Sequence, residues 1–279
     1  MKKDSIGNSW FKGMTFIVTG GSSGIGLAIS KVLSKESAKV IAVSYNEEEF
    51  ISARNELGDL QKNVEFFRCD ITNNKDRQSL VEYLRAHTGQ LAGLINVAGI
   101  TTYGPFFKTP IQAISRMLNI NFTGTILFIR EVFPLILENP KSTNKYLGFV
   151  SSTSGGAPFV YIGGYPGTKA GVEMFLRSLK LEMPEDVKIL MIRPGPVKTN
   201  LYNNAVIAPG SNISTLFKFE KRMFISPMDV ATPFIQAIKK KKQGIFYPNF
   251  TTKLLVKLMS GRLLGKAISK RAAMYMMQE

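Results

Sequence analysis

The chain has 279 residues, 44% of them hydrophobic and 20% charged, which excludes an intrinsically disordered protein and allows one domain with a large core. Its single cysteine, Cys69, excludes an internal disulfide and fits a reducing compartment. The formal net charge is +16, and residues 239–279 hold ten Lys/Arg and one acidic residue, a net +9. Such a segment suits an anionic membrane or nucleic acid, or is an ordinary solvated face.

Targeting signals are not evident in the sequence. The first apolar run is too short for a signal peptide, and no window reaches the roughly 18 consecutive apolar residues of a membrane-spanning helix. We therefore expect a cytoplasmic protein that does not cross a bilayer.

Short apolar runs alternate with longer helical stretches along most of the chain. The predicted strands are residues 15–19, 39–44, 64–69, 91–97, 146–151, 188–192 and 245–247. The predicted helices are residues 26–35, 47–60, 75–86, 111–137, 165–183 and 227–242. This alternation predicts an α/β fold with a single Rossmann-like, doubly wound parallel sheet of about seven strands and helices on both faces.

Two segments depart from the alternation. Residues 200–225 are rich in Asn, Pro and Gly and are expected to form a mobile lid over the ligand site within a domain of residues 1–250. Residues 251–279 are expected to form a basic amphipathic helical tail. On a helical wheel Lys253 and Lys257 are expected to oppose the apolar residues Leu254, Leu255, Leu258 and Met259, and a second such segment follows Gly261.

A glycine-rich turn lies between the first predicted strand and the first predicted helix. Its residues are Gly20, Gly21, Ser22, Ser23, Gly24, Ile25 and Gly26. Glycines allow the backbone to approach a pyrophosphate, and the positive end of the following helix attracts its charge. The turn therefore predicts a dinucleotide site, although a purely structural turn has the same composition.

Tyr165 and Lys169 are four residues apart and share one face of a predicted helix. A lysine ammonium beside a phenol favours the phenolate and would give the tyrosine a usable acidity. Pro166 and Gly167 place Tyr165 at the very start of that helix. Ser152 follows an apolar strand thirteen residues earlier, where its hydroxyl can polarise a substrate oxygen, as could the neighbouring Ser151 or Ser154.

The spacing TGxxxGxG with a downstream YxxxK resembles the short-chain dehydrogenase/reductase family. The resemblance covers residues 12–249 and includes further motifs in the family's order. These are Asp70, the run Asn96, Val97, Ala98 and Gly99, then Asn121, Ser152, Tyr165, Lys169, Pro194, Gly195 and Thr199.

The resemblance implies a role for each motif. Asp70 and the adjacent Ile71 would bind the adenine, and Asn96, Ala98 and Gly99 would support the adenosine side. Pro194, Gly195, Val197 and Thr199 would contact the nicotinamide. Asn121 would hold a water near Lys169, which would also bind the nicotinamide ribose; its alternative role is a polar residue that bends a helix.

The implied activity is an NAD(P)-dependent oxidoreductase that transfers hydride between nicotinamide and a carbonyl or alcohol, with Tyr165 as the proton-transfer group. No metal is expected. The only histidine, His87, lies near a helix end away from every motif and is predicted to be a surface residue.

The residues after the second predicted strand bear on the choice between NADP and NAD. Ser44 and Tyr45 stand where an acid would select NAD or an arginine would select NADP. Ser44 can donate a hydrogen bond to a phosphate, so the sequence favours NADP(H) over NAD(H). The usual arginine is absent, however, and Glu47, Glu48 and Glu49 lie close by.

The predicted pocket is apolar and therefore favours a hydrophobic or lipid-like substrate. Its predicted lining is Tyr103, Phe106, Phe107, Phe159, Val160, Tyr161, Leu201, Tyr202, Val206 and Ile207. An apolar pocket together with a basic tail loosely resembles lipid-handling members of the family such as 3-ketosphinganine reductases. We expect the tail to contact the cytosolic face of an anionic membrane or to pack in a homo-oligomer, a dimer or tetramer; nucleic acid is disfavoured.

Two other classes of function fit parts of the sequence. A dinucleotide-sensing or membrane-associated scaffold protein could keep the fold without turnover, but the intact Ser152, Tyr165 and Lys169 argue against it. A nucleotide-sugar epimerase also carries YxxxK, but the glycine spacing and the chain length disfavour it.

Overall fold

The computed structural model describes residues 10–87, 89–139, 144–211 and 224–260. Its centre is a seven-stranded sheet in the order β3-β2-β1-β4-β6-β7-β9, and each neighbouring pair is parallel. The strands are β1 Met14–Thr19, β2 Lys39–Ser44, β3 Val64–Arg68, β4 Gln90–Asn96, β6 Lys145–Val150, β7 Val187–Ile192 and β9 Gly244–Phe246. The predicted doubly wound parallel sheet is confirmed.

Helices cover both faces of this sheet. They are α1 Gly24–Lys35, α2 Glu48–Leu57, α3 Asn74–His87, α4 Ile111–Leu118, α5 Thr125–Leu137, α6 Tyr165–Glu182, α7 Pro227–Lys239 and α8 Phe250–Ser260. Side chains alternate between the faces because successive strand residues point in opposite directions. In β1, Phe16 and Val18 join the core under α1 and α7, whereas Ile17 joins the core under α3, α5 and α6.

The predicted element ends differ from the observed ones by a few residues. The largest differences are in helices: α2 ends at Leu57 because Gly58 takes a positive φ of 55° and a 3-10 turn follows, and α7 ends at Lys239. Helix 111–137 is continuous, but Asn119–Gly124 is a π turn between α4 and α5.

The helical stretch Ile111–Leu137 is long and apolar enough to cross a membrane by length and composition, the one such stretch in the described residues. Half of its apolar window is buried inside the domain. Phe128, Val132 and Ile136 belong to the core beneath the sheet. Its hydrophobicity is therefore that of a core helix.

The predicted lid and tail are partly described. A short parallel pair joins β5, Thr102–Tyr103, to β8, Val206–Ile207, and so ties the beginning of the lid to the domain. Residues 212–223 of the lid and 261–279 of the tail lie outside the described residues. The described part of the predicted tail is α8, whose inner side contacts the domain through Val256 and Met259.

Candidate active site

A cleft of about 700 Å³ opens at the carboxyl edge of the sheet, where the strand order reverses between β1 and β4. Ligands bind at this position in doubly wound folds, and the volume is in the range of small-molecule sites. The two strand ends are joined by a hydrogen bond in which Thr19 Oγ1 donates to Asn96 Oδ1 over 2.6 Å. The same Thr19 oxygen accepts the Val97 and Ala98 amides at 3.1 and 3.2 Å.

The glycine-rich turn is packed so tightly that side chains would not fit. Gly20 has a positive φ of 63°, and a Cβ on it would lie 3.1 Å from the Ala98 nitrogen. A Cβ on Gly26 would lie 2.0 Å from the Gly20 carbonyl oxygen. Gly26 therefore does not line the cleft; it lets α1 approach the turn that does.

The backbone amides in the first turn of α1 face the cleft, and no side chain among the described residues caps them. Ser23, the residue before the helix, has an extended backbone and no side-chain capping bond, and no acidic residue occupies the first turn. Ser23, Gly24 and Ile25 all line the cleft. Free amides at a helix N-terminus favour an anion such as a pyrophosphate.

Near the carboxyl end of β2, helix α2 contributes an acidic residue to the cleft. Glu49 lines the cleft, and the Ser22 hydroxyl donates a hydrogen bond of 2.5 Å to its carboxylate. Ser44 also lines the cleft but is buried, and its hydroxyl oxygen accepts the Asn46 amide at 3.3 Å. The exposed Tyr45 completes this corner.

Asp70 and Ile71 lie where β3 ends, as predicted, and both line the cleft. Asp70 Oδ1 accepts hydrogen bonds from the Thr72 amide at 2.9 Å and the Thr72 hydroxyl at 2.8 Å. These bonds fix the carboxylate at the cleft wall. Neighbouring Cys69 also borders the cleft, and burial together with Asp76 and Asp70 raises its pKa to about 12, so the thiol is a core group.

The predicted residues at the end of β4 have two different positions. Ala98 and Gly99 line the cleft, whereas Asn96 is buried and does not. Among the described residues Asn96 Nδ2 has no hydrogen-bond partner. Asn96 therefore acts through Thr19 rather than at the cleft surface.

Asn121 is buried in the π turn and also stands back from the cleft. Its side chain accepts the Ile100 amide and donates to the Ile100 carbonyl, both at 2.8 Å, and donates to the Thr168 hydroxyl at 3.3 Å. A Cβ on Gly99 would lie 3.1 Å from Asn121 Oδ1 and 3.6 Å from Lys169 Nζ, so both groups adjoin Gly99.

Three serines follow β6, and the structure distinguishes them. The Ser151 hydroxyl donates 2.5 Å to the buried Glu173 carboxylate, and the buried Ser154 hydroxyl has no partner among the described residues. Ser152 is the one that hydrogen bonds with Tyr165. Its hydroxyl also accepts the Ser154 amide at 3.2 Å, which holds the short 3-10 turn Thr153–Gly155.

Tyr165 is the first residue of α6, as predicted, and it is buried beside Lys169. Lys169 Nζ lies 5.7 Å from the centre of the Tyr165 ring and donates 3.0 Å to the Val150 carbonyl. Burial raises the pKa of Tyr165, and the hydrogen bond with Ser152 partly offsets this. Burial lowers the pKa of Lys169 to about 8, while the Glu173 carboxylate acts in the opposite direction.

A buried ion pair stands behind these residues. The Arg193 guanidinium donates two hydrogen bonds to Glu173, one from Nε at 2.8 Å, and others to the Tyr247 hydroxyl at 3.1 Å and the Gly155 carbonyl at 3.2 Å. The hydrogen bonds with Glu173 raise the pKa of Arg193. The pair thus joins α6, the turn after Ser152 and the ends of β7 and β9.

The segment after β7 forms the far wall. Pro194, Gly195, Val197 and Thr199 line the cleft, as predicted. The Pro194 carbonyl accepts the Thr153 amide at 2.8 Å, which ties this segment to the serine turn.

We distinguish two halves of the cleft. The glycine-loop half is lined by Gly20, Ser22, Ser23, Gly24, Ile25, Ser44, Glu49, Asp70, Ile71, Ala98 and Gly99. The apolar half is lined by Phe159, Val160, Ile162, Leu201, Tyr202, Val206, Leu255 and Met259. Ser152, Tyr165 and Lys169 also line the cleft, with Pro194 and Gly195.

The prediction of the apolar lining was partly wrong. Tyr103 and Tyr161 pack edge to face on each other, Phe106 and Phe107 are exposed, and Ile207 lies outside the cleft. In their place α8 contributes Leu255 and Met259. The predicted wheel was also wrong for Leu254 and Leu258, which are exposed on the same side as the lysines. Only the folded position of α8 decides which side is buried.

Sequence reasoning missed the charged residues behind and beside the cleft. Glu173 lies one helical turn after Lys169, and this spacing on one helix face was an available signal. The pairing of Glu173 with Arg193 had none, because Glu173 lies on α6 whereas Arg193 follows β7, and no helical or strand spacing relates the two residues. His87 is exposed, as predicted, and the described residues hold no group of three His, Cys, Asp or Glu side chains able to bind a metal.

Fold and site together define a doubly wound α/β enzyme with a Ser-Tyr-Lys group at the switch point of its sheet. The sequence model of the family described as short chain dehydrogenase matches residues 14–208. The chain therefore belongs to the short-chain dehydrogenase/reductase family and is an oxidoreductase.

Two relatives illustrate the match. Dehydrogenase/reductase SDR family member 7B of Rattus norvegicus is 25% identical over 273 residues, which are 95% of this chain and 83% of that protein. An uncharacterized oxidoreductase of Staphylococcus aureus (strain MW2) is 27% identical over 223 residues, 80% of this chain and 89% of the relative.

Solved structures share the fold. A short chain dehydrogenase/reductase from Burkholderia phymatum in complex with NAD has a TM-score of 0.78 at 18% identity and covers 94% of this chain and 96% of its own. A short chain dehydrogenase from Shigella flexneri complexed with NADP has a TM-score of 0.73 at 21% identity and covers 86% and 98%.

Proposed function

We propose that the chain transfers hydride between a nicotinamide dinucleotide and the carbonyl or alcohol group of a hydrophobic substrate. The observation that carries this proposal is the convergence of Ser152, Tyr165 and Lys169 on one cleft that the glycine-rich turn also lines. The glycine-rich turn, Ser152 and the Tyr165–Lys169 pair come from different elements and reach one site, which a scaffold without turnover would not need.

The cleft fits a nicotinamide dinucleotide. Gly20 and Gly26 bring backbone close where a Cβ would collide, and the uncapped start of α1 supplies amides for a pyrophosphate. Asp70 would hold the adenosine end, while Pro194 and Thr199 would contact the nicotinamide end. When bound, the dinucleotide supplies or accepts the hydride.

The protein's own residues handle the proton. The raised pKa of Tyr165 keeps its hydroxyl protonated at neutral pH, so in the direction of reduction it can donate to the substrate oxygen. Ser152, bonded to Tyr165, orients that oxygen. Lys169, with a pKa of about 8, is mainly an ammonium at pH 7 and favours the phenolate that remains. We include Asn121, which adjoins the lysine through Gly99, as the residue that holds the proton-relay water.

For the choice of cofactor, the structure adds an observation that favours NAD over the NADP expected from Ser44. At the corner formed by the end of β2, Glu49 is hydrogen bonded to Ser22. The basic residues that line the described part of the cleft are Lys169 and Arg116, which come from α6 and α4 rather than from this corner. A 2′-phosphate at this corner would meet a carboxylate, whereas a 2′-hydroxyl could donate to it. Two such charges 4 Å apart repel by about 4 kcal/mol at an effective dielectric constant of 20.

Matched variants test the choice of cofactor. We expect the wild type to bind NADH more tightly than NADPH in a fluorescence titration, and Glu49→Gln to reduce the difference by roughly tenfold or more. Glu48→Gln, an exposed acid on the same helix outside the cleft, should change neither affinity. A wild type that prefers NADPH would instead support the prediction from Ser44.

The substrate proposal rests on the apolar half. Its wall comes from three separate segments, represented by Phe159, Tyr202 and Met259. The basic residues that line the cleft are Lys169, which belongs to the Ser-Tyr-Lys group, and Arg116 on α4, so a pair of cations that could clamp an acidic substrate is not evident among the described residues. A hydrophobic or lipid-like ketone or alcohol fits this lining best.

The decisive experiment measures dinucleotide oxidation over a series of ketones of increasing chain length, with Tyr165→Phe alongside. We expect turnover to rise with chain length and Tyr165→Phe to lose about 100-fold to 10,000-fold while still binding the dinucleotide. Binding without turnover of any ketone in the wild type would favour the alternative, a dinucleotide-sensing scaffold. Turnover that survives in Tyr165→Phe would falsify the assigned proton transfer.

A homo-oligomer, predicted as a dimer or tetramer, is also proposed. Apolar side chains are exposed on α4, α5 and α6, at Leu118, Leu127, Met174 and Leu181. Several large exposed apolar side chains on helices of one domain are typical of a subunit interface. Sedimentation velocity of the wild type and Met174→Glu tests it; a single monomeric species in the wild type would contradict it.

A further inference from the structure

Helix α8 has two distinct sides. Thr252, Val256 and Met259 are buried against the domain. The opposite side is exposed and consists of Phe250, Lys253, Leu254, Lys257 and Leu258, which we call the outer stripe. These positions follow the spacing i, i+3, i+4, i+7, i+8, so they form one continuous band along the helix.

The outer stripe combines apolar side chains with lysines and has no acidic residue. Phe250 is 74% exposed, Leu254 42% and Leu258 39%. A soluble surface helix normally places such residues inward. Apolar and basic groups that alternate along one exposed band are typical of a helix lying in the plane of an anionic membrane.

The same helix is a wall of the cleft. Leu255 and Met259 line the apolar half, and Val256 packs with Ala157 and Phe159. The Ser260 hydroxyl donates 2.8 Å to the Gly156 carbonyl, in the turn that follows Ser152. The outer stripe is therefore separated from the cleft by the thickness of one helix, about 10 Å.

A second exposed apolar group borders the same wall. Phe107 is 99% exposed, and its neighbour Phe106 lies 3.3 Å from a Cβ built on Gly163. Gly163 and Phe159 belong to one loop, residues 157–164, so this loop has exposed aromatic rings beside it and α8 against it.

The basic charge of the C-terminal segment is not one patch. Lys240, Lys241 and Lys242 precede β9 and so lie at the edge where the parallel strands begin, opposite the cleft. Lys253 and Lys257 lie on α8, which follows the carboxyl end of β9, at the edge of the sheet where the cleft opens. In sequence they are followed by Arg262, Lys266, Lys270 and Arg271, with Glu279 as the only acid. The described charge on this side of the domain is thus positive at Lys253 and Lys257 and complements anionic lipid.

We propose that the outer stripe of α8 rests on an anionic membrane surface, at the cytosolic face, and that hydrophobic substrate passes from the lipid into the cleft alongside Leu255 and Met259. This proposal depends on the proposed function only for the identity of the molecule that enters. The membrane contact itself does not require turnover.

Co-sedimentation of the full-length chain with vesicles tests the contact. Phosphatidylcholine vesicles with phosphatidylserine are compared with pure phosphatidylcholine, and we expect binding to the former only. Lys253→Gln/Lys257→Gln should weaken partitioning by about thirty-fold, since each lysine near anionic lipid contributes about a factor of five. Leu254→Ser/Leu258→Ser should weaken it also with the charge unchanged. Ile51→Ser, at an exposed apolar position on α2, is the matched control.

Turnover then tests the route of entry. The outer-stripe variants should lose turnover of a long-chain ketone delivered in anionic vesicles and retain turnover of a short water-soluble ketone, because none of their residues lines the cleft. Dinucleotide affinity, measured by fluorescence, should be the same in all variants.

Several outcomes overturn the proposal. They are a wild type that stays in the supernatant, outer-stripe variants that sediment like the wild type, and variants that change the oligomeric state in sedimentation velocity, which would assign the stripe to a second copy of the chain. If vesicle binding is as expected but no ketone is turned over, the proposed function fails while the membrane contact stands.

Discussion

The two halves of the cleft differ in what they are made of. The glycine-loop half consists mainly of residues at the ends of β1 to β4, together with the first turns of α1 and α2, and Gly20 and Gly26 are packed against neighbouring backbone. The apolar half consists of side chains from the loop 157–164, from residues 201–206 and from α8. The first half has a shape set by the sheet, whereas the second depends on how three separate segments pack. A change in the first should therefore alter stability and dinucleotide binding, and a change in the second should alter substrate preference.

Arg193 lies behind the residues where the two halves meet, and its substitution should have the largest effect. Arg193→Met would leave Glu173 buried without its partner, and we expect a loss of about 3–5 kcal/mol in the free energy of unfolding. Denaturant unfolding measures this. Arg68→Met, which removes a half-exposed partner of Asp76, should cost less than about 1 kcal/mol. Equal losses of unfolding free energy in the two variants would show that the buried ion pair stabilises the fold no more than the exposed one.

The glycine-loop half is tested next by Gly26→Ala. Its Cβ would lie 2.0 Å from a backbone oxygen, so we expect a destabilisation of about 1–3 kcal/mol and weaker dinucleotide binding. Gly167→Ala is the matched control, because its Cβ meets nothing within 4 Å and alanine is the better helix former by up to about 1 kcal/mol. Unchanged dinucleotide affinity in Gly26→Ala would contradict the close packing of this half.

The pH profile concerns the groups where the halves meet. The Lys169 ammonium loses its proton as the pH rises through about 8, so kcat/KM for ketone reduction should be constant below that pH and fall by about tenfold per unit above it. Tyr165, whose pKa is raised, stays protonated over this range. Glu173→Gln removes the charge that raises the pKa of Lys169, so the falling limb should move to lower pH. A profile that is flat to pH 10 would exclude Lys169 from the proton path.

The smallest effect is expected in the apolar half. Leu255→Ala removes apolar surface from the cleft wall and should lower kcat/KM for a long-chain ketone by about fivefold, or about 1 kcal/mol, without changing dinucleotide affinity. Leu254→Ala, its exposed neighbour, should leave turnover of a ketone in solution unchanged. If Leu254→Ala has the larger effect in solution, the assignment of the two sides of α8 is wrong.

Local pattern predicted much of the structure. The two-sided burial of β1, β2 and β4 appears in the sequence as continuous apolar runs, and the glycine spacing marks the turn before α1. Tyr165 and Lys169 could be paired because helical spacing places them on one face. The ends of helices and strands were predicted less accurately. Helix α2, for example, ends before Gly58 because that residue takes a positive φ.

Other features were beyond local pattern. Glu49 reaches Ser22 from a different element, and Arg193 reaches Glu173 across the sheet edge, so neither contact is encoded by spacing. The aromatic residues at 103, 106, 107 and 161 have the composition of a pocket lining, yet their packing takes them elsewhere. Residue composition does not specify which way a side chain points.

The sequence by itself determined the fold class, the position of the glycine turn and the pairing of Tyr165 with Lys169, because strand periodicity, glycine spacing and helical spacing act over a few residues. Only the tertiary structure decided which serine bonds the tyrosine, which acid stands at the end of β2 and which side of α8 closes the cleft. Those choices depend on contacts between residues distant in the chain, where burial and hydrogen bonding select one partner among several of equal composition.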